Sequence, residues 1–249
     1  MTYRTRIGIL IGFIVIFLIT APIVVLYTAG YRWNEKKVRL EKVGLIFLRS
    51  RPSGAQIFLD DKLHPERTPA RLRNLLPSNY DIKVTKKGYS VWEKNLPVAS
   101  ALTTFAEGIV LWKLEAPQAL ASTPAETLNQ TELGMLDRSD PLTYKNNSET
   151  FKSDGFEVWV ENKDGDHETV TRLSDEIVAV LPYTDSGWVI YETATAIHAI
   201  ERDGRDVRND ITLATGDGLN GLALSSDGKT LYFNAKKDGV TVLWKRVLQ

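Results

Sequence analysis

Residues Ile7 to Tyr27 read IGILIGFIVIFLITAPIVVLY and contain no charged side chain. As a helix rising about 1.5 Å per residue, such a run spans roughly 30 Å, the thickness of a bilayer's hydrocarbon core. It divides the chain into an anchor, with Ile7, Phe13, Phe17 and Tyr27 as lipid-facing residues, and whatever the anchor holds out. Pro22 is tolerated in a membrane helix and bends its last turns. The alternative is a cleaved signal peptide. The run exceeds the about 7–15 apolar residues of a signal peptide, and Ala29-Gly30 is the one weak cleavage candidate.

Orientation is contested by the flanks. Arg4 and Arg6 precede the run, while Arg32, Lys36, Lys37, Arg39 and Lys42 follow it. Counting basic residues alone places the C-terminal side in the cytoplasm. Tyr27, Tyr31 and Trp33 suit either membrane interface. The basic cluster could contact anionic headgroups or form a solvated linker with Glu35 and Glu41.

Composition narrows the rest. The 31 basic and 31 acidic residues balance, so no charge excess points to nucleic acid. There are no cysteines, which excludes disulfides, thiolate metal sites and a cysteine nucleophile.

From Gly44 the apolar signal breaks into short runs, the pattern of strands. Expected strands are 44–50, 56–60, 70–75, 80–85, 90–97 and 103–113. Pro52-Ser53-Gly54 and Asp60-Asp61-Lys62 carry turn chemistry. Alternation over Asp81–Thr85 puts Ile82 and Val84 on one face. These strands predict a small antiparallel sandwich.

Pro52-Ser53-Gly54-Ala55, Thr68-Pro69, Leu76-Pro77 before Tyr80, Gly88-Tyr89 and Trp92 together resemble the PEGA domain family over about 43–114. Ser53 stands where that family has glutamate, and its Pro-Gly-x-Tyr turn reads Pro77-Ser78-Asn79-Tyr80 here, so a positive φ would fall to Asn79 or be lost. The resemblance implies a surface or envelope module without catalytic residues. It makes Pro52, Gly54, Ala55, Thr68, Pro69, Tyr80, Gly88, Tyr89 and Trp92 structural. An anchor, the run Thr28–Arg32, this domain and the exit at Trp112-Lys113 are similar to envelope proteins of candidate-phylum bacteria. Those continue into propeller-like repeats outside the cytoplasmic membrane.

Residues 116–150 are rich in Pro, Ser, Thr, Asn and Gln and read as a linker. Within it a short helix over 124–136 is expected, capped by Thr123 with Pro124 in its first turn. Beyond it lies a repeat. Tyr191 to Phe233 and Ile200 to Val242 are both separated by 42 residues, each within three apolar runs and Asp-Gly turns. A period of 40–45 is that of a propeller blade, and Ser226–Tyr232 resembles WD-like and TolB-type blades. Phe156–Val160 reads as the last strand of an earlier blade. Two to three blades fall short of the about four that a closed ring needs. An open sheet, edge pairing between copies or partners, and a shortened product are the alternatives.

The expected organisation is therefore mainly β. An anchor (1–33) and a juxtamembrane linker (34–42) lead to a PEGA-like sandwich (43–115), a linker (116–150) and an incomplete propeller-like region (151–249).

Chemistry is sparse. His64, His167 and His198 lack ligand spacing. Asn162–Glu168 has its glycine before the third acid, unlike a calcium loop, and reads as a hairpin turn. No Walker, nucleophile-elbow or dinucleotide motif is present. Asp60-Asp61 and Asp175-Glu176 read as solvated turn acids. Trp92, Trp112, Trp159, Trp188 and Trp244 fall on strands, where core packing is the ordinary role and glycan or peptide binding the functional one.

No catalytic residue, cofactor or metal is expected. The expected partners are the bilayer, a protein or glycan on the C-terminal β-region, and further copies through open sheet edges; nucleic acid is not among them. The expected role is a non-enzymatic, single-pass envelope protein with its β-domains extracytoplasmic. An envelope sensor or assembly partner, and less so a glycan-active hydrolase, are the alternatives.

Overall fold

The computed structural model describes residues 3–35, 37–121, 123–146, 148–183 and 187–249. Lys36 of the basic cluster and Asp185-Ser186 of the second repeat lie outside the described residues, as does the side chain of Arg4. The fold is mainly β, with one apolar helix and several separate antiparallel sheets.

Helix α1 (Tyr3–Thr28) contains the whole apolar run. Its Thr5–Thr28 segment is long and apolar enough to cross a membrane. Ile7, Phe13, Phe17 and Tyr27 all expose their side chains. The stretch read as a juxtamembrane linker is instead a hairpin of β1 (Tyr31–Asn34) and β2 (Arg39–Lys42). Sequence pattern misses it because both strands are only four residues long and mostly polar.

Next come β3 (Gly44–Arg51), β4 (Gln56–Leu59), β5 (Lys62–Arg67), β6 (Ala70–Leu75), β7 (Ser78–Thr85), β8 (Trp92–Val98) and β9 (Thr103–Val110). They form a three-stranded sheet, β6-β3-β9, and a four-stranded one, β5-β4-β7-β8. Asp60 and Asp61 both take positive φ at the β4–β5 tip, where two such residues match the twist of a tight hairpin. β5 is the strand the sequence did not reveal; Pro65 interrupts it and its residues are largely exposed.

The stretch read as a linker holds β10 (Gln118–Ala119), α2 (Pro124–Thr127), α3 (Gln130–Leu136) and β11 (Thr143–Lys145). Asn129 separates the two helices because its side chain accepts from the N–H groups of Thr131 and Glu132, both at 3.0 Å, which caps α3. β12 (Glu149–Ser153), β13 (Glu157–Asn162) and β14 (His167–Arg172) follow. Then come β15 (Ile177–Tyr183), β16 (Trp188–Thr193), β17 (Ala196–Glu201) and β18 (Asp210–Thr215). The chain continues with β19 (Asn220–Leu224), β20 (Thr230–Lys237) and β21 (Val240–Val247).

These make three consecutive four-stranded sheets: β11-β12-β13-β14, β15-β16-β17-β18 and β10-β21-β20-β19. The 42-residue spacing joins equivalent strands. Tyr191 and Phe233 lie in the second strand of their sheets, Ile200 and Val242 in the third. Trp159 lies in a third strand and not a last one, with β14 after it. The third sheet takes its fourth strand from upstream, β10 pairing with β21 through Gln118↔Lys245 and Ala119↔Trp244.

By contact the chain divides into two compact units. One gathers residues 1–48, 70–80 and 96–106; the other gathers 49–69, 81–95 and 107–249. Within the second unit, Phe151, Val158, Val160 and Val170 of one sheet form a core with Ile177, Val180, Val189, Tyr191 and Ile200 of the next. A smaller core joins Leu128 and Leu136 to Ala223 and Leu243. The α2–α3 segment thus covers the third sheet, a burial worth roughly 1.5–3 kcal/mol for each leucine.

Candidate functional site

The PEGA-type residues explain one another through backbone hydrogen bonds. The Pro52–Ala55 turn closes on Thr68, whose hydroxyl accepts from the Ala55 N–H at 3.0 Å and lies 2.6 Å from the Ser50 hydroxyl. The Gly54 N–H donates to the Thr68 carbonyl at 2.7 Å, and the Thr68 N–H to the Ala55 carbonyl at 3.0 Å. Gly54 has φ +77°, which a side chain would strain. Arg51-Pro52 and Thr68-Pro69 are both cis. Tyr80 donates its hydroxyl to the Leu76 carbonyl at 2.9 Å. Neither Ser78 nor Asn79 is among the positive-φ residues, so the positive-φ position of the family's second turn is lost. Gly88-Tyr89 is clipped to the exit segment: Leu114 donates to the Gly88 carbonyl at 2.9 Å, and Tyr89 bridges Lys113.

Trp92 leads to a polar junction in the second unit. Its indole N–H donates to Glu201 Oε1 at 3.1 Å. Lys94 Nζ lies 3.0 Å from Glu201 Oε2, and its side chain is fully buried. Asn209 Nδ2 donates to the same oxygen at 2.8 Å. The adjoining groove of about 510 Å³ is lined by Asp61, Asp81, Lys83, Glu93, Asn95 and Asp206 among others. Most of these acids have partners: Asp81 accepts from Asn95, Glu93 pairs with Lys83 at 2.6 Å, and Asp206 accepts from the Asn95 N–H at 2.8 Å. The groove is a structural joint.

A second cavity of about 510 Å³ lies among the three C-terminal sheets. β11 and β12 supply Tyr144, Glu149 and Phe151; β15 and β16 supply Leu181, Tyr183 and Trp188. Arg202, Met135 of α3 and Leu224–Ser226 complete the lining. Its aromatic wall is fixed from behind. Trp188 donates its indole N–H to the Gly108 carbonyl at 2.8 Å, and its ring meets Trp112 edge-on at 5.4 Å. Trp112 also meets Tyr183 edge-on at 4.7 Å. Burial pushes the Tyr183 hydroxyl up to about 12. On the polar side, Arg202 binds Glu149 through two hydrogen bonds of 3.0 and 3.1 Å. Glu149 is the one carboxylate among the described lining residues. Large apolar walls with a few fixed polar groups are the usual make-up of a ligand site.

Sequence reasoning reached Trp188 as an aromatic candidate and missed the other walls. Trp92, Trp112 and Trp188 are each about 1% exposed and pack in cores, while Trp159 and Trp244 are half-buried. The histidines do not converge. His198 stacks on Tyr191 at 5.0 Å with its Nδ1 3.2 Å from Asp210, and His64 accepts from the Glu66 N–H. No group of three or more potential metal ligands occurs among the described residues. Asn162–Glu168 is a hairpin turn, with the Asn162 side chain accepting from the Asp164 and Asp166 N–H groups.

Fold and site together define a β-rich protein behind an apolar helix. Residues 43–107 match the family model of the PEGA domain. A comparison with curated proteins finds no match to the chain.

Proposed function

We propose that this is a single-pass, membrane-anchored envelope protein whose three C-terminal sheets bind a partner through the aromatic cavity. The observation that carries the reading is the uncharged run Ile7–Tyr27 inside one exposed helix, followed by nothing but β-rich structure and short helices among the described residues. The PEGA match supports an extracytoplasmic placement, because PEGA domains are extracellular. The basic residues after the helix then serve the membrane surface rather than set the orientation.

The three sheets are read as propeller-type blades of the WD or TolB kind, with the upstream strand β10 completing the third as blade closures do. The lining supports a non-enzymatic role: its one carboxylate among the described residues is held by Arg202, whereas glycoside hydrolysis uses two acids flanking the bond. The ligand class is a peptide or glycan with an apolar face, suited to the half-buried Tyr144 and Met135, behind which Phe151, Tyr183 and Trp188 form a buried wall. Edge pairing between copies is a second mode of association, since β10 covers only two residues of β21.

A photo-crosslinker placed at Ser225 in the membrane-embedded chain tests the cavity. The expected result is one defined adduct that disappears when Ser226→Trp fills the space. Adducts unchanged by that filling would remove the cavity from the reading.

A further inference from the structure

The hairpin behind α1 carries an unusual exposed face. The register pairs Tyr31 with Lys42 and Trp33 with Leu40, so these four side chains project to one side of the ribbon. Trp33 is 56% exposed, Leu40 47%, and Val38 at the tip 71%. The opposite side is closed upon itself. Asn34 donates to Glu41 at 2.6 Å, Arg39 Nε to Glu41 at 2.7 Å, and Lys37 lies 3.3 Å from it. This network occupies the Glu41 carboxylate. No ion pair to Lys42 is found among the described residues.

Only Ala29 and Gly30 separate the helix from Tyr31, a reach of at most about 11 Å. The Arg32 guanidinium shortens it further: it donates to the Tyr27 carbonyl at 2.9 Å and sits 3.7 Å over the Tyr27 ring. A helix that crosses a bilayer therefore brings this face to the bilayer's edge. Trp and Tyr favour that layer, and lysines near it attract anionic lipid. A shallow groove of about 430 Å³ beside the face is lined by Tyr31, Lys37, Arg39, Leu40, Lys42 and Ser100, among others.

We propose that the Tyr31–Trp33–Leu40–Lys42 face lies in the headgroup layer of the bilayer that α1 crosses and takes an anionic phospholipid headgroup beside Lys42. The proposal rests on the reading of α1 as a spanning anchor. It gives the hairpin the task of fixing the first β-element against the membrane instead of leaving it on a free tether.

The test uses the full chain in lipid nanodiscs containing a phospholipid brominated near its headgroup end, with and without phosphatidylglycerol. Quenching of tryptophan fluorescence should fall by more than half in Trp33→Phe. In the wild type it should be stronger with phosphatidylglycerol, and that increase should be lost in Lys42→Gln. Equal quenching of wild type and Trp33→Phe would overturn the proposal, and equal quenching in neutral and anionic discs would overturn its headgroup assignment. Failure of the anchor reading shows separately, as a chain that does not float with phospholipid vesicles after alkaline carbonate.

Discussion

Lys94 of β8 and Glu201 of β17 form an ion pair, Nζ to Oε2 at 3.0 Å, with both side chains buried. It joins the strand that follows the PEGA-type Gly88-Tyr89 turn to the middle one of the three C-terminal sheets. Breaking one partner of such a pair leaves an uncompensated charge, at a cost of about 3–5 kcal/mol. Lys94→Met should lower stability by that order in urea denaturation of the detergent-solubilised chain. Lys94→Met with Glu201→Leu should recover a large part. A loss below about 1 kcal/mol for the single variant would show the pair to be incidental.

Glu192 sits on β16, fully buried, on the same side of the strand as Trp188 and Ile190, and neither carboxylate oxygen has a partner among the described residues. Burial pushes its carboxyl up to about 7. The folded chain thus holds a proton that the unfolded chain releases near pH 4.5. Stability falls as pH rises from about 4.5 to 7, with the full penalty present above that window. Glu192→Gln should stabilise the protein by about 2–3 kcal/mol at pH 8 and hardly at all at pH 4.5. A difference in melting temperature that does not change with pH would refute the assignment.

Thr68 holds the Pro52–Ala55 turn through its hydroxyl as well as its backbone. Thr68→Val keeps the shape and orphans the buried Ala55 N–H, so about 1–3 kcal/mol should be lost. Thr68→Ser should lose much less. Equal losses for the two would mean that the methyl group, and not the hydroxyl, holds the turn.

Gly221 at the start of β19 has φ +77°, and a Cβ there would lie 2.5 Å from the Leu136 carbonyl oxygen at the end of α3. Backbone cannot yield as a side-chain tip can. Gly221→Ala should cost more than about 1 kcal/mol and weaken the seat of α3, read as faster hydrogen exchange over 130–136. Unchanged exchange would place the α3 contact outside the stability of the third sheet.

Much of this architecture was legible because its signals are local. The uncharged run marks α1, the spaced Pro, Gly and Thr residues mark the PEGA-type turns, and the 42-residue repeat marks equivalent strands of two sheets. What escaped depends on contacts distant in sequence. β10 is two residues long and is a strand only because β21 accepts it. β11 and β14 are short and carry few apolar residues, so the first sheet showed only Phe156–Val160. The hairpin 31–42 alternates aromatic and charged residues in a way that also fits a solvated linker. Its Glu41 becomes structural only when Asn34 and Arg39 close around it and hold its carboxyl at about 2. The cavity walls come from five strands and a helix, and no local spacing brings Tyr144, Trp188 and Arg202 together. Glu192 looks like a solvated strand residue until its neighbours bury it.

Because the chain has no cysteine, the placement of the β-region outside the cytoplasm is directly measurable. Val207 is 81% exposed on the segment between β17 and β18, so Val207→Cys gives a single reporter thiol. A membrane-impermeant maleimide should label it in intact cells, after removal of any outer layer, as fully as in permeabilised ones. Labelling only after permeabilisation would put the β-domains in the cytoplasm and contradict the account.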